Sequence, residues 1–358
     1  MFRKSTVKGY KISNYLIFFD EWCIIDKNPE QNLVIQSIYS PPPLLFNGHI
    51  ETIYPALFRK INNVKLTRER ITTPDQDFVD LDWLKTGSEE LVIICHGLEG
   101  DSQQPYMLGM TRAVSNLLKH DALAWNYRGC SGEINLHHRF YHSGATDDLD
   151  VVVKHAMNQG YQSISLIGFS LGGNLVLKYL GEIGADPAHP VTAGVVFSVP
   201  LDLEASSKKM MKWYNYVYSQ RFMKSLKNKV KQKKGRLPEH ISLEQIDKVR
   251  HVFHFDDLFT APIHGFRDAR DYYKSCSSLF FLNSIRKPVL IVNARNDPFL
   301  DETCFPFEEL ADNQYIYFEA PERGGHCGFA SFETEYYWSE RRAVQFLSMN
   351  KPVKTRSY

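Results

Sequence analysis

Gly168-Phe169-Ser170-Leu171-Gly172 sets a serine between two glycines, where the apolar run Ile164 to Ile167 gives way to Leu171, Asn174, Leu175 and Tyr179 at helical spacing. A serine at such a strand-to-helix corner has a strained backbone that pushes its hydroxyl out of the core. Glycines two residues to either side let the flanking elements approach closely. Ser170 is then a nucleophile if three other parts are present. The first is a base: an imidazole takes the serine proton at neutral pH and returns it to a leaving group. "APERGGHCGF" supplies His326 in a glycine loop just past the apolar run ending at Ala320. The second is a carboxylate to fix the imidazole tautomer. Asp297 in "VLIVNARNDPFL" directly follows a buried strand, and Asp301, expected to cap the next helix, is the fallback. The third is a pair of backbone donors for an oxyanion, expected from the Leu171 amide and, after the strand in "IICHGLEGD", the Leu98 amide.

These residues need a scaffold that brings several strand ends together. Strands are predicted at 68–73, 78–84, 91–97, 122–129, 163–169, 193–199, 289–295 and 314–320. The first two have no helix between them and suggest an antiparallel entry pair. The later runs are almost continuously apolar, as parallel strands covered on both faces should be. Helices are predicted at 105–119, 146–158, 171–184, 303–311 and 334–348. The expected fold is α/β, a mostly parallel central sheet of roughly six strands flanked by helices. The order serine, acid, histidine is that of an α/β-hydrolase. Residues 201–284 are too long for one crossover and read as an inserted helical cap, dividing the core into 39–200 and 285–350. "SPPPLLFNGHIETIYP" reads as an ordered, turn-rich lead-in. Residues 1–38 are an N-terminal extension of unassigned role, and 351–358 form a tail.

The 358 residues are 43% hydrophobic with a net charge of +1, enough apolar matter for a large core and no whole-protein argument for nucleic acid. Tyr15 to Ile25, "YLIFFDEWCII", falls short of the roughly 18 apolar residues that span a bilayer. It also contains Asp20 and Glu21 and precedes no cleavage site, so neither signal peptide nor anchor is read. The six cysteines have no disulfide-framework or zinc spacing, which points to a reducing cytoplasm. His137, His138 and His142 lie in a loop-like stretch, and no metal or other cofactor is expected. Asp147 and Asp148 read as first-turn helix acids, and Asp256 and Asp257 as structural residues of the cap.

Together, "PPPLLFNGHIETIYPALFRK", "HGLEGD", "WNYRGCSGEINLHHRFYHSG", "GFSLGGN", "FDDLFTAPIHGFRDARDYY", "NDPF" and "GGHCGF" resemble the YheT-like branch of the α/β-hydrolases, from about Tyr39 to Ser348. The resemblance implies a charge relay on Ser170, Asp297 and His326. It also implies hydrolysis of carboxylic esters, including short-chain esters and monoacylglycerol-type lipids. Many relatives carry two acids where this chain has Asn296-Asp297, which leaves Asp297 as the acid there, and the first 32 or so residues have no counterpart. Peptide or amide hydrolysis on the same triad is a rival reading. So is a non-catalytic member that binds lipid or a partner protein.

One further stretch is set apart by charge. Lys208 to Arg236 holds eleven Lys or Arg and no Asp or Glu, with Met211, Tyr214, Tyr218 and Phe222 at the spacing of one helical face. Two readings stand side by side: the apolar face packs on the core with its lysines solvated, or the segment makes peripheral contact with an anionic membrane. The substrate expected is a small-molecule or lipid ester; the sequence assigns no oligomeric state.

Overall fold

The computed structural model describes residues 34–310 and 312–350; the expectations for 1–33 and 351–358, including the apolar run from Tyr15, lie outside these. The order is β1 (Val34–Ile35), α1 (Gly48–Phe58), β2 (Thr67–Thr72), β3 (Phe78–Leu84), β4 (Glu90–Cys95), α2 (Pro105–Ala113), β5 (Asp121–Asn126), α3 (Thr146–Asn158), β6 (Ser163–Phe169), α4 (Leu171–Ile183) and β7 (Val191–Phe197). Between β7 and β8 the chain makes α5 (Leu203–Met210), α6 (Tyr216–Gln232), the short α7 (Val252–Phe255) and α8 (Ala261–Ile263), and α9 (Ala269–Cys276). β8 (Val289–Val292), β9 (Ile316–Glu319) and α10 (Trp338–Met349) close the fold.

One nine-stranded sheet runs β1-β9-β8-β7-β6-β4-β5-β3-β2. The pairs from β1 through β5 are parallel; β5 with β3 and β3 with β2 are antiparallel, so the entry pair is a hairpin on the edge. The parallel strands read as unbroken apolar runs because alternate side chains enter two separate cores. In β4, Leu91, Ile93 and Cys95 pack with α3 and α4 residues such as Leu149, Val153 and Leu175, whereas Val92 and Ile94 pack with Met107, Met110 and Phe346 of α2 and α10. A third cluster, built on Met223, Leu226 and Val230 of α6 with Phe255, Phe259 and Ile263, is the core of the segment before β8.

Several elements differ from the sequence reading. Residues 303–311 do not form a helix: Glu302–Cys304 is a single 3-10 turn. Pro306 follows it, and Phe305 and Phe307 turn inward against Phe318, at 6.3 and 5.3 Å between rings. The helix expected at 105–119 is α-helical to Ala113 and widens to a π-turn over Val114–Leu118. The helix expected from 334 begins at Trp338. The lead-in contains a true helix, α1, whose Asn47 side chain caps the Ile50 amide at 2.9 Å. Pro55 inside it makes the sequence read as turns.

The expected helical face Met211-Tyr214-Tyr218-Phe222 is also broken. α5 stops at Met210, and buried Asn215 donates to the Pro298 and Lys209 carbonyls at 2.8 and 3.1 Å before α6 begins. The face of α6 that packs inward is Ser219, Met223, Leu226 and Val230. No helix among the described residues is long and apolar enough to cross a membrane.

Candidate active site

The candidate residues Ser170, Asp297 and His326 all follow strands at the carboxyl edge of the sheet, where an open α/β sheet places its binding crevice. β6 ends at Phe169, and Ser170 takes φ 53° and ψ −119° before α4 starts at Leu171. This strained conformation is held by neighbours: the Ser170 amide donates to the Phe197 carbonyl at 2.9 Å, and its carbonyl accepts from the Gly173 and Asn174 amides at 2.9 and 3.1 Å. Gly172 is required by packing, since a Cβ there would lie 2.4 Å from the Cys95 carbonyl oxygen.

His326 comes from the loop after β9. Its Nε2 is 2.8 Å from Ser170 Oγ and its Nδ1 is 2.8 Å from Asp297 Oδ2. Asp297 is buried, and its other oxygen accepts from the Phe299 amide at 2.8 Å. Asp301, the fallback acid, sits at the cap of the 3-10 turn and makes no contact with His326. Burial disfavours a charged imidazole, but the Asp297 carboxylate, together with Cys327, more than offsets this and raises His326 above the usual histidine range.

The oxyanion donors expected at Leu98 and Leu171 flank the serine. Gly97 brings the loop after β4 so close that a Cβ on it would lie 3.2 Å from the Ser170 Cβ. Neighbouring amides are engaged: Gly97 donates to the Tyr106 hydroxyl at 3.0 Å and Glu99 to the Tyr141 hydroxyl at 2.8 Å. The Leu98 and Leu171 amides have no acceptor among the described residues. His96 braces this loop from behind. Burial lowers its pKa to about 3, so it is neutral, donating from Nδ1 to the Gly97 carbonyl (2.7 Å) and accepting at Nε2 from the Tyr127 amide (3.3 Å). The Glu99 side chain, one residue past Leu98, is buried and accepts from Tyr141 Oη (2.6 Å), Lys229 Nζ (2.7 Å) and Ser225 Oγ, tying the loop to α6.

Four supporting residues escaped the sequence reading. Buried Glu51 of α1 accepts from Asn296 Nδ2 and the Gly324 amide, both at 2.8 Å, and from Arg323 Nε at 2.9 Å. Thr52 Oγ1 accepts from the His326 amide at 2.8 Å, and Asn296 Oδ1 from the Gly325 amide at 3.1 Å. Ser198 Oγ accepts from the Cys327 amide at 2.8 Å. Glu51 therefore joins the acid loop to the histidine loop. The Asn47 cap with Glu51 in the next turn was the signal available in the sequence.

Displacing a catalytic group by about 1 Å costs roughly 10²-fold in rate. Glu51→Ala is therefore expected to lower kcat on that scale with little change in KM. Glu51→Gln, which retains acceptor oxygen for the Gly324 and Asn296 donors, is expected to recover part of it. Wild-type kcat in both variants, measured on protein of unchanged melting behaviour, would remove Glu51 from this role.

Above Ser170 lies an open-mouthed cleft that also has His326 in its lining. Leu98, Phe140, Met210, Phe222, Leu226 and Phe299 form apolar wall, while Ser207, Thr260, Tyr273 and Asp256 give a polar side. Asp256 accepts from Thr260 Oγ1 at 2.6 Å and Tyr273 Oη at 2.7 Å, and burial pushes its pKa up to about 6.

A family model described as the alpha/beta hydrolase fold matches residues 90–331. YheT of Escherichia coli strain K12, whose name proposes an esterase, is 38% identical, over 86% of this chain and 92% of its own length. Phospholipase ABHD3 of Mus musculus is 29% identical, over 83% of this chain and 74% of its own. Among solved structures, the Pyrococcus furiosus esterase Pf2001 aligns with a TM-score of 0.54 at 20% identity, covering 81% of this chain and 95% of its own, a likeness of fold.

Proposed function

The chain belongs to the α/β-hydrolase family, in its YheT-like branch, and from that premise we propose that it hydrolyses carboxylic esters through an acyl-enzyme on Ser170. The observation that carries this reading is the hydrogen-bonded line Ser170 Oγ, His326 Nε2, His326 Nδ1, Asp297 Oδ2, with 2.8 Å at each step, opening on the cleft. Ser170 Oγ attacks the ester carbonyl carbon while His326 takes its proton, and the carbonyl oxygen becomes an oxyanion held by the Leu98 and Leu171 amides. Collapse breaks the bond to the alcohol oxygen, which leaves with the proton from His326. Water, deprotonated by the same histidine, then attacks the acyl carbon and restores Ser170. Asp297 orients the ring and stabilises the imidazolium.

The cleft supports a finer assignment. Its apolar wall suits an acyl chain, and the side with Asp256, Thr260 and Tyr273 suits a hydroxyl-bearing alcohol, so we place monoacylglycerol-type esters among the substrates. The five cysteines among the described residues are free, which supports a reducing compartment. A panel of p-nitrophenyl esters, monoacylglycerols and aminoacyl amides tests the reaction class. Turnover of esters with accumulation of an acyl-enzyme is expected, with monoacylglycerols favoured over alkyl esters of equal chain length. Faster cleavage of amides than of esters would replace this reading by amide hydrolysis, and no turnover with any class would favour a binding protein.

A further inference from the structure

Where α5 ends, Met210 turns into the cleft wall and the next residues turn outward. Trp213 is 85% exposed, Val217 74% and Tyr216 63%, with Met211 half exposed beside them. Single exposed apolar side chains are ordinary on a protein surface, but a contiguous crest containing a tryptophan is not. The crest continues onto α1. The His49 ring lies 6.0 Å from Tyr214 and 5.8 Å from Tyr218, and exposed Ile53 and Leu57 follow His49 at successive i+4 positions.

Charge is distributed with equal asymmetry. Several cations of the stretch 208–236 are already engaged: Lys229 with Glu99, Lys231 with Asp247, Lys208 with Glu204, and buried Lys233 with Asn135 Oδ1 and the His137 and Arg139 carbonyls. Lys229 and Lys233 thus do not lie on the free face that helical periodicity suggests. Lys212, Arg221 and Lys224, next to the crest, are exposed and form no ion pair among the described residues.

We propose that this crest docks the protein on an anionic lipid bilayer, with Trp213, Tyr216 and Val217 entering the boundary between headgroups and acyl chains and Lys212, Arg221 and Lys224 facing lipid phosphates. Aromatic rings with a rim of unpaired cations match that interface. A second copy of this chain on the same patch would bring like charges together, which argues against self-association there. Docking sets the cleft walled by Met210 and Phe222 beside the membrane, where lipid esters reside. It does not rest on the ester chemistry, so it is tested on the Ser170→Ala protein as well as on the wild type.

The full-length protein is sedimented with vesicles of phosphatidylcholine alone and of phosphatidylcholine with phosphatidylglycerol. Partition into the anionic vesicles is expected, accompanied by a blue shift of tryptophan emission that is absent in Trp213→Phe. Lys212→Glu with Arg221→Glu and Lys224→Glu is expected to lower the partition coefficient by more than about tenfold, as is Trp213→Ser with Tyr216→Ser. Phe280→Ser, which alters an exposed aromatic on another segment, should bind like the wild type. Hydrolysis of dissolved short-chain ester should be unaltered in all of them. Equal partition of the crest variants and the wild type overturns the proposal, as does absence of wild-type binding. A dimer that the crest variants dissolve without losing vesicle binding overturns it too, since the patch would then join two copies.

Discussion

Ser170→Ala is expected to abolish ester turnover, with a loss on the order of 10⁴-fold or more, while the protein stays folded. The hydroxyl makes its hydrogen bond to His326 and carries no part of the fold. The strained backbone is fixed by main-chain bonds to Phe197, Gly173 and Asn174, which alanine preserves. Residual activity would come from the Leu98 and Leu171 amides acting on an unassisted water. A fluorophosphonate probe should label the wild type at Ser170 and leave the variant unlabelled. Labelling and turnover that persist in a correctly folded Ser170→Ala protein would place the nucleophile elsewhere and defeat the assignment of the site.

The acid gives the second large effect. In Asp297→Asn the amide nitrogen can face His326 Nδ1, which favours the tautomer whose proton sits on Nε2 and points at Ser170. The ring then cannot accept the serine proton, and a loss of roughly 10⁴-fold in kcat is expected with KM little altered. Asp301→Asn, one turn away and without contact to the ring, should behave like the wild type. The pH profile carries an independent sign. Asp297 raises the pKa of His326 by favouring its protonated form, so the imidazole must lose that proton before it can act as base. Removing the carboxylate should move the acid limb of kcat/KM to lower pH as the plateau falls. A large loss in Asp301→Asn with none in Asp297→Asn would transfer the acid to Asp301, and an acid limb unmoved in Asp297→Asn would mean that another group sets it.

Such residues are legible in a sequence for a physical reason. A parallel sheet covered on both faces forces long apolar runs, so six of its strands, β4 to β9, appear as blocks, and the candidate reacting groups sit where those blocks end. The predicted blocks overran. The apolar run "LVIICHG" predicts a strand to Gly97, whereas pairing stops at Cys95, where His96 turns its Nδ1 onto the Gly97 carbonyl and the chain leaves the ladder. "VLIVNAR" predicts a strand to Arg295, whereas β8 stops at Val292. What escaped was long-range. Glu51 meets Asn296 across 245 residues of chain, and no local pattern encodes that meeting. Pro55 hid the helix that delivers Glu51, and Phe305 with Phe307 imitated a helix while packing as a turn. The lysines of α6 and of its C-cap mislead in another way. Periodicity assigns a residue to a face, yet Lys233 on the polar side is buried by the 135–139 loop folding over it.

The bond from Lys229 to Glu99 bears on how such a protein can diversify. Residues 201–284 look like a part that could be exchanged between relatives to change what enters the cleft. Yet Glu99, on the other side of the serine, keeps a buried carboxylate whose counter-charge comes from inside that part. A replacement segment lacking the lysine would leave that carboxylate beside Leu98 with the Tyr141 hydroxyl but no counter-charge, and an uncompensated buried charge typically costs about 3–5 kcal/mol. Positions 99 and 229 must therefore change together, so that the piece of chain recombination can swap freely is not the piece that a drawing of the fold would cut out.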